Sequence, residues 1–210
     1  MWISKHWLKY AGVCALLALG SVACGLAEGD EDERKRTDYI TLSDPAFEAF
    51  CLACYDLNGD DRLSRYEAER VRVMDCSERG IRSLAEIDAF CNLQELDCSE
   101  NELTHLDLEC NRSLTELRCA ENRLVELSVV GVRSLKRLDC HANALPRLDL
   151  TTAANLQQLD ARSNALATID LSLCARSLTA SLRGNPKLTT IYARAGQQVD
   201  YESPAVLVER

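Results

Sequence analysis

The sequence predicts an α/β solenoid, in which short coils stack their strands into a parallel sheet behind a small helical cap. Three observations support this prediction. One pattern recurs four times between Leu93 and Asn164, at intervals of 21 residues. Apolar and polar residues alternate within each copy, as they do along a strand. A segment typical of a helix start, Asp44-Pro45, precedes the copies. Because a single short coil cannot bury its apolar edge, the coils must stack on one another.

The four copies read LQELDCSENEL, LTELRCAENRL, LKRLDCHANAL and LQQLDARSNAL. Stacking in register places their leucines and cysteines in ladders, with the second half of each copy as the opposite wall. Asparagines keep the same interval at Asn101, Asn122, Asn143, Asn164 and Asn185. An asparagine at a turn can satisfy buried backbone groups of its own coil and of the neighbouring coil. We therefore interpret these repeated residues as structural.

The pattern L-x-x-L-x-[LC]-x-x-N-x-L resembles the leucine-rich repeat, in the short cysteine-containing form frequent in surface lipoproteins of Bacteroides-like bacteria. The resemblance covers roughly the second half of the chain, and it implies a short leucine-rich repeat solenoid that binds other macromolecules. We place the repeat domain at 76–200. Asn185 keeps phase whereas Leu188 and Ile191 are displaced, so we expect irregular, capping last coils. The tail, 201–210, carries no structural signal.

The N-terminus, 1–23, has the features of an export signal. Basic Lys5 and Lys9 precede an apolar run that is shorter than the ~20 residues of a membrane-spanning helix. The following Ser-Val-Ala-Cys resembles a bacterial lipobox, which implies cleavage before Cys24, a lipid on its sulfur and a membrane anchor. Gly25 in place of aspartate favours the outer membrane. The alternative is an ordinary signal peptide followed by an unrelated cysteine.

The segment 24–40 is predicted to be a charged tether. Its acidic run EGDEDE offers no apolar residue for packing, and similar stretches accompany surface display in Bacteroides-like lipoproteins. The full chain has a net charge of −9; loss of Lys5 and Lys9 with the signal leaves 22 of 24 basic residues against 33 acidic ones, a net charge of −11. Nucleic acid and anionic headgroups are therefore disfavoured partners.

A cap is predicted at 41–75, beginning with a helix whose apolar stripe contains Phe47, Phe50, Cys51 and Cys54. The next twelve residues, DLNGDDRLSRYE, resemble an EF-hand calcium loop. The resemblance implies a calcium ion held by five side chains and one backbone carbonyl (that of Arg62), at Asp56, Asn58, Asp60, Arg62, Ser64 and Glu67. The departure is Asp61, where glycine normally makes the sharp turn; aspartate tolerates the left-handed conformation at some cost. The alternative is a turn that caps the repeats without metal.

Two further segments connect the cap with the repeats. Val71, Met74 and Cys76 each lie 22 residues before their counterparts in the first copy, which predicts an additional, preceding coil. The segment Ser83 to Phe90 is predicted to form a short helix on the convex side of that coil.

Nine cysteines remain after the signal and the lipidation site, an odd number that excludes complete internal pairing. Cys76, Cys98, Cys119 and Cys140 fall in the inward column, where parallel side chains at the strand spacing suit packing better than bonding. We predict that these four cysteines act as small, buried hydrophobic residues. A redox pair at Cys51 and Cys54 and a zinc site of stacked thiols are both disfavoured by their surroundings.

No catalytic constellation is evident: His105 and His141 fall on outward positions without a nucleophile, and no glycine-rich phosphate loop is present. We therefore predict a non-enzymatic chain that binds a protein partner at the bacterial cell surface. The predicted binding face consists of outward strand positions, namely Glu95, Asp97, Glu116, Arg118, Arg137, Asp139, His141, Gln158, Asp160 and Arg162. Two alternatives are a structural envelope lipoprotein without a specific ligand and a calcium-dependent glycan or adhesion module.

Overall fold

A computed structural model describes residues 37–202 and 204–210 of the chain. The predicted signal peptide at 1–23, the lipidation site Cys24 and most of the predicted tether lie outside these described residues. Within them, no helix combines the length and the apolar character that crossing a membrane requires.

Seven parallel strands form the main sheet, and we call its solvent-exposed side the sheet face. In chain order the strands are β3 (Val73–Asp75), β4 (Glu95–Asp97), β6 (Glu116–Arg118), β8 (Arg137–Asp139), β9 (Gln158–Asp160), β11 (Thr179–Ser181) and β13 (Gln198–Asp200). Along the sheet, their order is β13-β11-β9-β8-β6-β4-β3. Each central residue points into the core while its two neighbours face outwards, so the predicted strand periodicity is confirmed.

The register of this sheet follows the repeat interval. Leu96 pairs with Leu117, and Leu138 pairs with Leu159. The predicted preceding coil is confirmed, because Met74 of β3 pairs with Leu96 of β4. The boundary predicted at 75/76 therefore falls at the end of the first strand of the sheet.

The opposite wall is also built from parallel strands. It contains a pair, β5 (His105–Asp107) with β7 (Glu126–Ser128), and a triplet, β10 (Thr168–Asp170), β12 (Thr190–Ala193) and β14 (Val206–Glu209). Strands β13 and β14 continue both walls towards the C-terminus, so the segment after 200, which has no sequence signal, still contributes a strand. The last coils thus keep parallel pairing although their leucine spacing changes.

The N-terminal region of the described chain is only partly helical. Strand β1 (Tyr39–Ile40) precedes helix α1 (Pro45–Tyr55) and pairs antiparallel with β2 (Leu63–Ser64), which is followed by the four-residue helix α2 (Arg65–Ala68). Instead of an α-helix, the predicted segment Ser83 to Phe90 contains a single 3-10 turn, Ile87–Ala89.

Asp44 joins this region to the first coil. One carboxylate oxygen accepts hydrogen bonds from the backbone N–H groups of Ala46 and Phe47 at 2.9 and 3.0 Å, which caps α1 as predicted. The other oxygen accepts from the N–H groups of Arg82 and Ser83 at 2.8 and 3.1 Å. Burial raises the pKa of Asp44, but these four backbone donors outweigh it and the net shift is downward. The helix start and the first coil therefore share one carboxylate.

The core consists of ladders that run along the solenoid. The predicted cysteine ladder is confirmed as buried thiols, since Cys76, Cys98, Cys119 and Cys140 are each 0% exposed and form no disulfide. Burial raises the pKa of Cys76 to about 12, and those of the other three thiols also rise for this reason. These thiols are packing groups that remain protonated at neutral pH.

The turn before each ladder asparagine is left-handed. Glu100, Glu121, Ala142 and Ser163 have φ between 53 and 55°, and Gly184 occupies the equivalent place with φ 73°. A Cβ at Gly184 would lie 3.0 Å from Ser163 Oγ, a tight contact that glycine avoids at this turn. Residues with side chains occupy the other positions at a conformational cost.

Candidate binding face

The sheet face carries two rows of outward side chains, one from the first residue and one from the last residue of each strand. The last-residue row places Asp97 beside Arg118, Arg118 beside Asp139, and Asp139 beside Asp160. The structure thus brings the predicted face residues of these strands together on one surface. His141 and Arg162 lie two residues beyond their strands, on the same side.

A shallow depression of about 500 Å³ lies in the middle of the sheet face, across β6, β8, β9 and β11. Its polar lining residues are Glu116, Arg118, Arg137, Asp139, Gln158, Asp160, Thr179 and Ser181. Six of these belong to the predicted face. Thr179 and Ser181 were missed because β11 lacks the leucine and cysteine of the repeat. The phase of Asn185 could have located them, since it places β11 one interval after β9.

Many charges on the sheet face are paired with one another. Arg118 contacts Glu116 of its own strand and lies 3.9 Å from Asp97, and Arg137 Nη1 lies 3.1 Å from Glu116 Oε2. Arg162 Nη2 lies 2.6 Å from Asp160 Oδ2. Exposed pairs of this kind contribute little to stability, about 0–1 kcal/mol each. They do set a fixed pattern of charge on the surface.

The aspartates at the strand ends also have a structural role that sequence reasoning missed. One carboxylate oxygen of each accepts a hydrogen bond from the backbone N–H two residues later, at 3.1–3.2 Å. The aspartates are Asp75, Asp97, Asp139 and Asp160. An Asx turn of this type ends the strand. The repeated Asp-Cys in the sequence is the signal that could have suggested it.

The twelve-residue loop after α1 is closed by its own carboxylates. Asp56 accepts hydrogen bonds from the N–H groups of Gly59 and Asp61 at 2.8 and 2.9 Å. Glu67 is only 3% exposed and accepts from the backbone N–H groups of Leu57 and Ser64, both at 2.8 Å. These contacts bring the first and last residues of the loop close to the same turn.

Other features of this loop bear on whether a cation fits it. Asp61 has φ 57°, the left-handed conformation expected at its position. No basic nitrogen of the described residues lies within 4.0 Å of the carboxylates of Asp56, Asp60 or Glu67. Asp60 instead accepts from the Tyr39 hydroxyl at 3.0 Å, which contributes to the raised pKa of Tyr39. The donor set consists of oxygen atoms, the ligands that calcium prefers.

The carboxylates of the loop are not drawn together, however. Among the described residues, the three Asp, Glu, His or Cys ligand atoms that lie within 4.8 Å of one another belong to Asp139, His141 and Asp160 on the sheet face, and not to the loop. In this arrangement, the loop carboxylates accept hydrogen bonds from backbone N–H groups.

The described residues therefore define a parallel-sheet solenoid with a charged, shallow face. No protein-family model matches the chain, and no curated protein matches it. Solved structures similar to it include InlJ of Listeria monocytogenes, described as containing a cysteine ladder, with 18% identity, a TM-score of 0.35 and 75% of this chain covered. An internalin of the same organism, InlF, has 17% identity, a TM-score of 0.47 and 74% of this chain covered.

A leucine-rich repeat protein of Leptospira interrogans has 21% identity, a TM-score of 0.47 and 62% of this chain covered. The chain spans 59, 57 and 33% of the lengths of these three proteins, respectively.

Proposed function

We propose that this chain is a non-catalytic binding module whose sheet face takes a protein partner. The observation that carries the proposal is the depression over β6, β8, β9 and β11, in which acidic and basic side chains face each other in register between β6 and β8. A rigid sheet with a fixed charge pattern favours a complementary charged partner, because complementary potentials set specificity and association rate.

The charges and side chains of this face argue for a protein over other ligands. The depression contains Arg118 and Arg137 beside Asp139 and Asp160, and the chain as a whole has a net charge of −9. Nucleic-acid binding relies on clustered basic side chains. No aromatic residue lines the depression, so the stacking platform that commonly holds a sugar ring is missing there.

The proposal is tested with the double variant R118E/R137E, which reverses two charges in the depression. Its matched control is R112E/R133E, because Arg112 and Arg133 are exposed in the turns before β6 and β8 and carry the same charge change. A photo-reactive residue in place of Gln158 would crosslink a protein bound at the sheet face in cells of the source organism. We expect a defined crosslinked product that is lost in the first double variant and kept in the second.

The same experiment distinguishes the alternatives. A structural envelope role without a specific ligand predicts identical products from both double variants. A calcium-dependent glycan or adhesion module predicts binding on a glycan array that a chelator abolishes.

We also propose that the loop from Asp56 to Glu67 holds a calcium ion and forms an EF-hand-like cap. Its side chains Asp56, Asn58, Asp60, Ser64 and Glu67 and the carbonyl of Arg62 would supply the oxygen ligands. Support comes from the left-handed Asp61, from the buried Glu67 and from carboxylates that have no basic nitrogen within 4.0 Å among the described residues. The ion would supply positive charge between the carboxylates of Asp56, Asp60 and Glu67, and would draw them together in place of their backbone hydrogen bonds.

Finally, we propose that the chain is a lipoprotein of the Bacteroides-like type, anchored through Cys24 to the outer membrane and displayed at the cell surface. This proposal rests on the signal and lipobox-like sequence. The acidic run after Cys24 supports a tether that holds the solenoid away from the membrane.

A further inference from the structure

Asp139, His141 and Asp160 form a cluster of metal-ligating groups on the sheet face. Asp139 of β8 pairs in register with Asp160 of β9, and His141 follows Asp139 by two residues on the same side. One ligand atom from each of the three residues lies within 4.8 Å of the others. Parallel register places the two carboxylates side by side. Because residues two apart along a strand point to the same side, the imidazole of His141 lies on the side of Asp139.

Two acidic side chains are direct neighbours at this point of the sheet face. Asp75 and Asp97 are also neighbours in the last-residue row, and Arg118 separates Asp97 from Asp139. Among the described residues, however, only the pair Asp139 and Asp160 has a histidine close enough to share an ion. Like charges directly opposite each other on adjacent strands are destabilising. A cation bound between these two carboxylates removes that repulsion.

The histidine is placed to share an ion with the carboxylates. His141 Nδ1 lies 2.7 Å from Asp139 Oδ1, and Nε2 lies 3.8 Å from Glu121 Oε1 on the preceding coil. The first contact is a hydrogen bond. Ligand atoms bound to one tetrahedral zinc ion at about 2.0–2.2 Å are about 3.3–3.6 Å apart, so an ion would replace this hydrogen bond with only a small separation of the two atoms. The side chains of Asp139, His141 and Asp160 are 36, 28 and 25% exposed, so an ion can reach them from solvent.

Arg162 competes with an ion for Asp160. Its Nε lies 2.8 Å from Oδ1 and its Nη2 lies 2.6 Å from Oδ2. The carboxylate of Asp160 becomes available to an ion when the Arg162 guanidinium turns away.

We propose that Asp139, His141 and Asp160 bind a divalent transition-metal ion of the zinc class at the edge of the depression. Imidazole with two carboxylates suits zinc, copper or nickel better than calcium. Three protein ligands leave a coordination position for water or for a side chain of a bound partner. The metal site itself is independent of the proposed partner. The suggestion that a side chain of a bound partner completes the coordination of the ion rests on the proposed function.

The test is a calorimetric titration of Zn²⁺ alone into the full reduced chain, in the background C91S/C110S to remove two exposed thiols. We expect one site, weakened about tenfold or more in H141N and in D160N and unchanged in H105N. The H105N control removes the other histidine of the described chain, which lies on β5 in the opposite wall. Circular dichroism checks that each variant is folded.

Arg162→Gln supplies a test of opposite sign. Because it frees Asp160, we expect tighter Zn²⁺ binding than in the parent chain, which a purely structural ion-pair ladder does not predict. Equal binding by H141N and H105N, the absence of a site in the parent chain, or weaker binding by R162Q overturns the proposal. None of these outcomes depends on whether the sheet face captures a protein partner.

Discussion

The side-chain oxygen of Asn164 accepts a hydrogen bond at 3.0 Å from the backbone N–H of Leu145, one coil earlier. Its amide nitrogen donates to the carbonyl of Cys140 at 2.9 Å. One side chain thus satisfies backbone groups of the preceding coil that stacking removes from water. The equivalent asparagines repeat this contact along the solenoid.

Asn164→Ala is expected to lower the free energy of unfolding by about 2–3 kcal/mol, because a buried N–H loses its acceptor. Chemical denaturation measures this difference. The control is Asn155→Ala, which removes an exposed hydrogen bond of 2.8 Å to the Arg133 carbonyl and should cost less than about 0.5 kcal/mol. Equal effects of the two substitutions would contradict the structural role of the ladder.

Ala142→Gly is expected to stabilise the protein by about 1 kcal/mol. Ala142 has φ 53°, a conformation that costs about 1–2 kcal/mol for a residue with a Cβ, and the added flexibility of glycine in the unfolded chain offsets part of the gain. Ala144→Gly, two residues along and exposed, should instead destabilise by about 0.5–1 kcal/mol. Thermal melts of both variants give the comparison; destabilisation by Ala142→Gly would rule out strain at this turn.

The buried thiols predict a loss of stability in alkali. An unfolded thiol releases its proton near pH 9, whereas folded Cys76 keeps its proton to about pH 12. The folded state therefore binds more protons within this window, so stability is intact below pH 9 and falls as the pH rises. Within this window, Cys76 lowers the free energy of unfolding by up to about 1.4 kcal/mol for each unit that the pH rises.

Unfolding free energies measured between pH 9 and 10 should fall less steeply in Cys76→Ala than in the parent chain. Cys91→Ser, at an exposed thiol, is the control and should leave the slope unchanged. If Cys76→Ala and the parent chain have the same slope, the thiol is not the group responsible.

Calcium is expected to raise the thermal midpoint of the full chain. Binding to the folded state alone contributes about 2.7 kcal/mol at a hundredfold excess over the dissociation constant. Glu67→Gln should abolish the rise, while Glu126→Gln, which removes an exposed carboxylate from β7, should preserve it. A midpoint that is the same in calcium and in chelator would leave the loop as a turn without metal.

Cys24→Ser is expected to abolish lipid attachment and release the chain from the membrane fraction. Incorporation of labelled palmitate in cells measures this directly. Cys14→Ser, within the predicted signal, is the matched control and should still yield the lipidated mature chain. Labelling of the Cys24→Ser variant would indicate another attachment site or an ordinary signal peptide.

Much of the repeat architecture was predictable because it depends on contacts at a constant sequence interval. The pairing of Met74 with Leu96, the buried cysteine ladder and the bridging asparagines all follow from the 21- and 22-residue spacings. The binding-face positions on β4, β6, β8 and β9 follow from strand alternation. The opposite wall was predicted from the second half of each copy, whose apolar residues keep the 21-residue interval, but the pairing of its strands was not predicted. Strand β14 was not predicted because its residues are exposed and follow no repeat pattern.

The sequence by itself therefore determined the solenoid, its inward ladders and the outward rows of charge, because each requires only a repeat length and a side-chain periodicity. The tertiary structure alone decided how those charges are used. It showed that Asp160 is shared between a turn and Arg162, that His141 lies against Asp139, and that Glu67 is held by backbone N–H groups. Such contacts depend on side-chain directions and on the stagger between neighbouring coils, which a linear pattern does not contain.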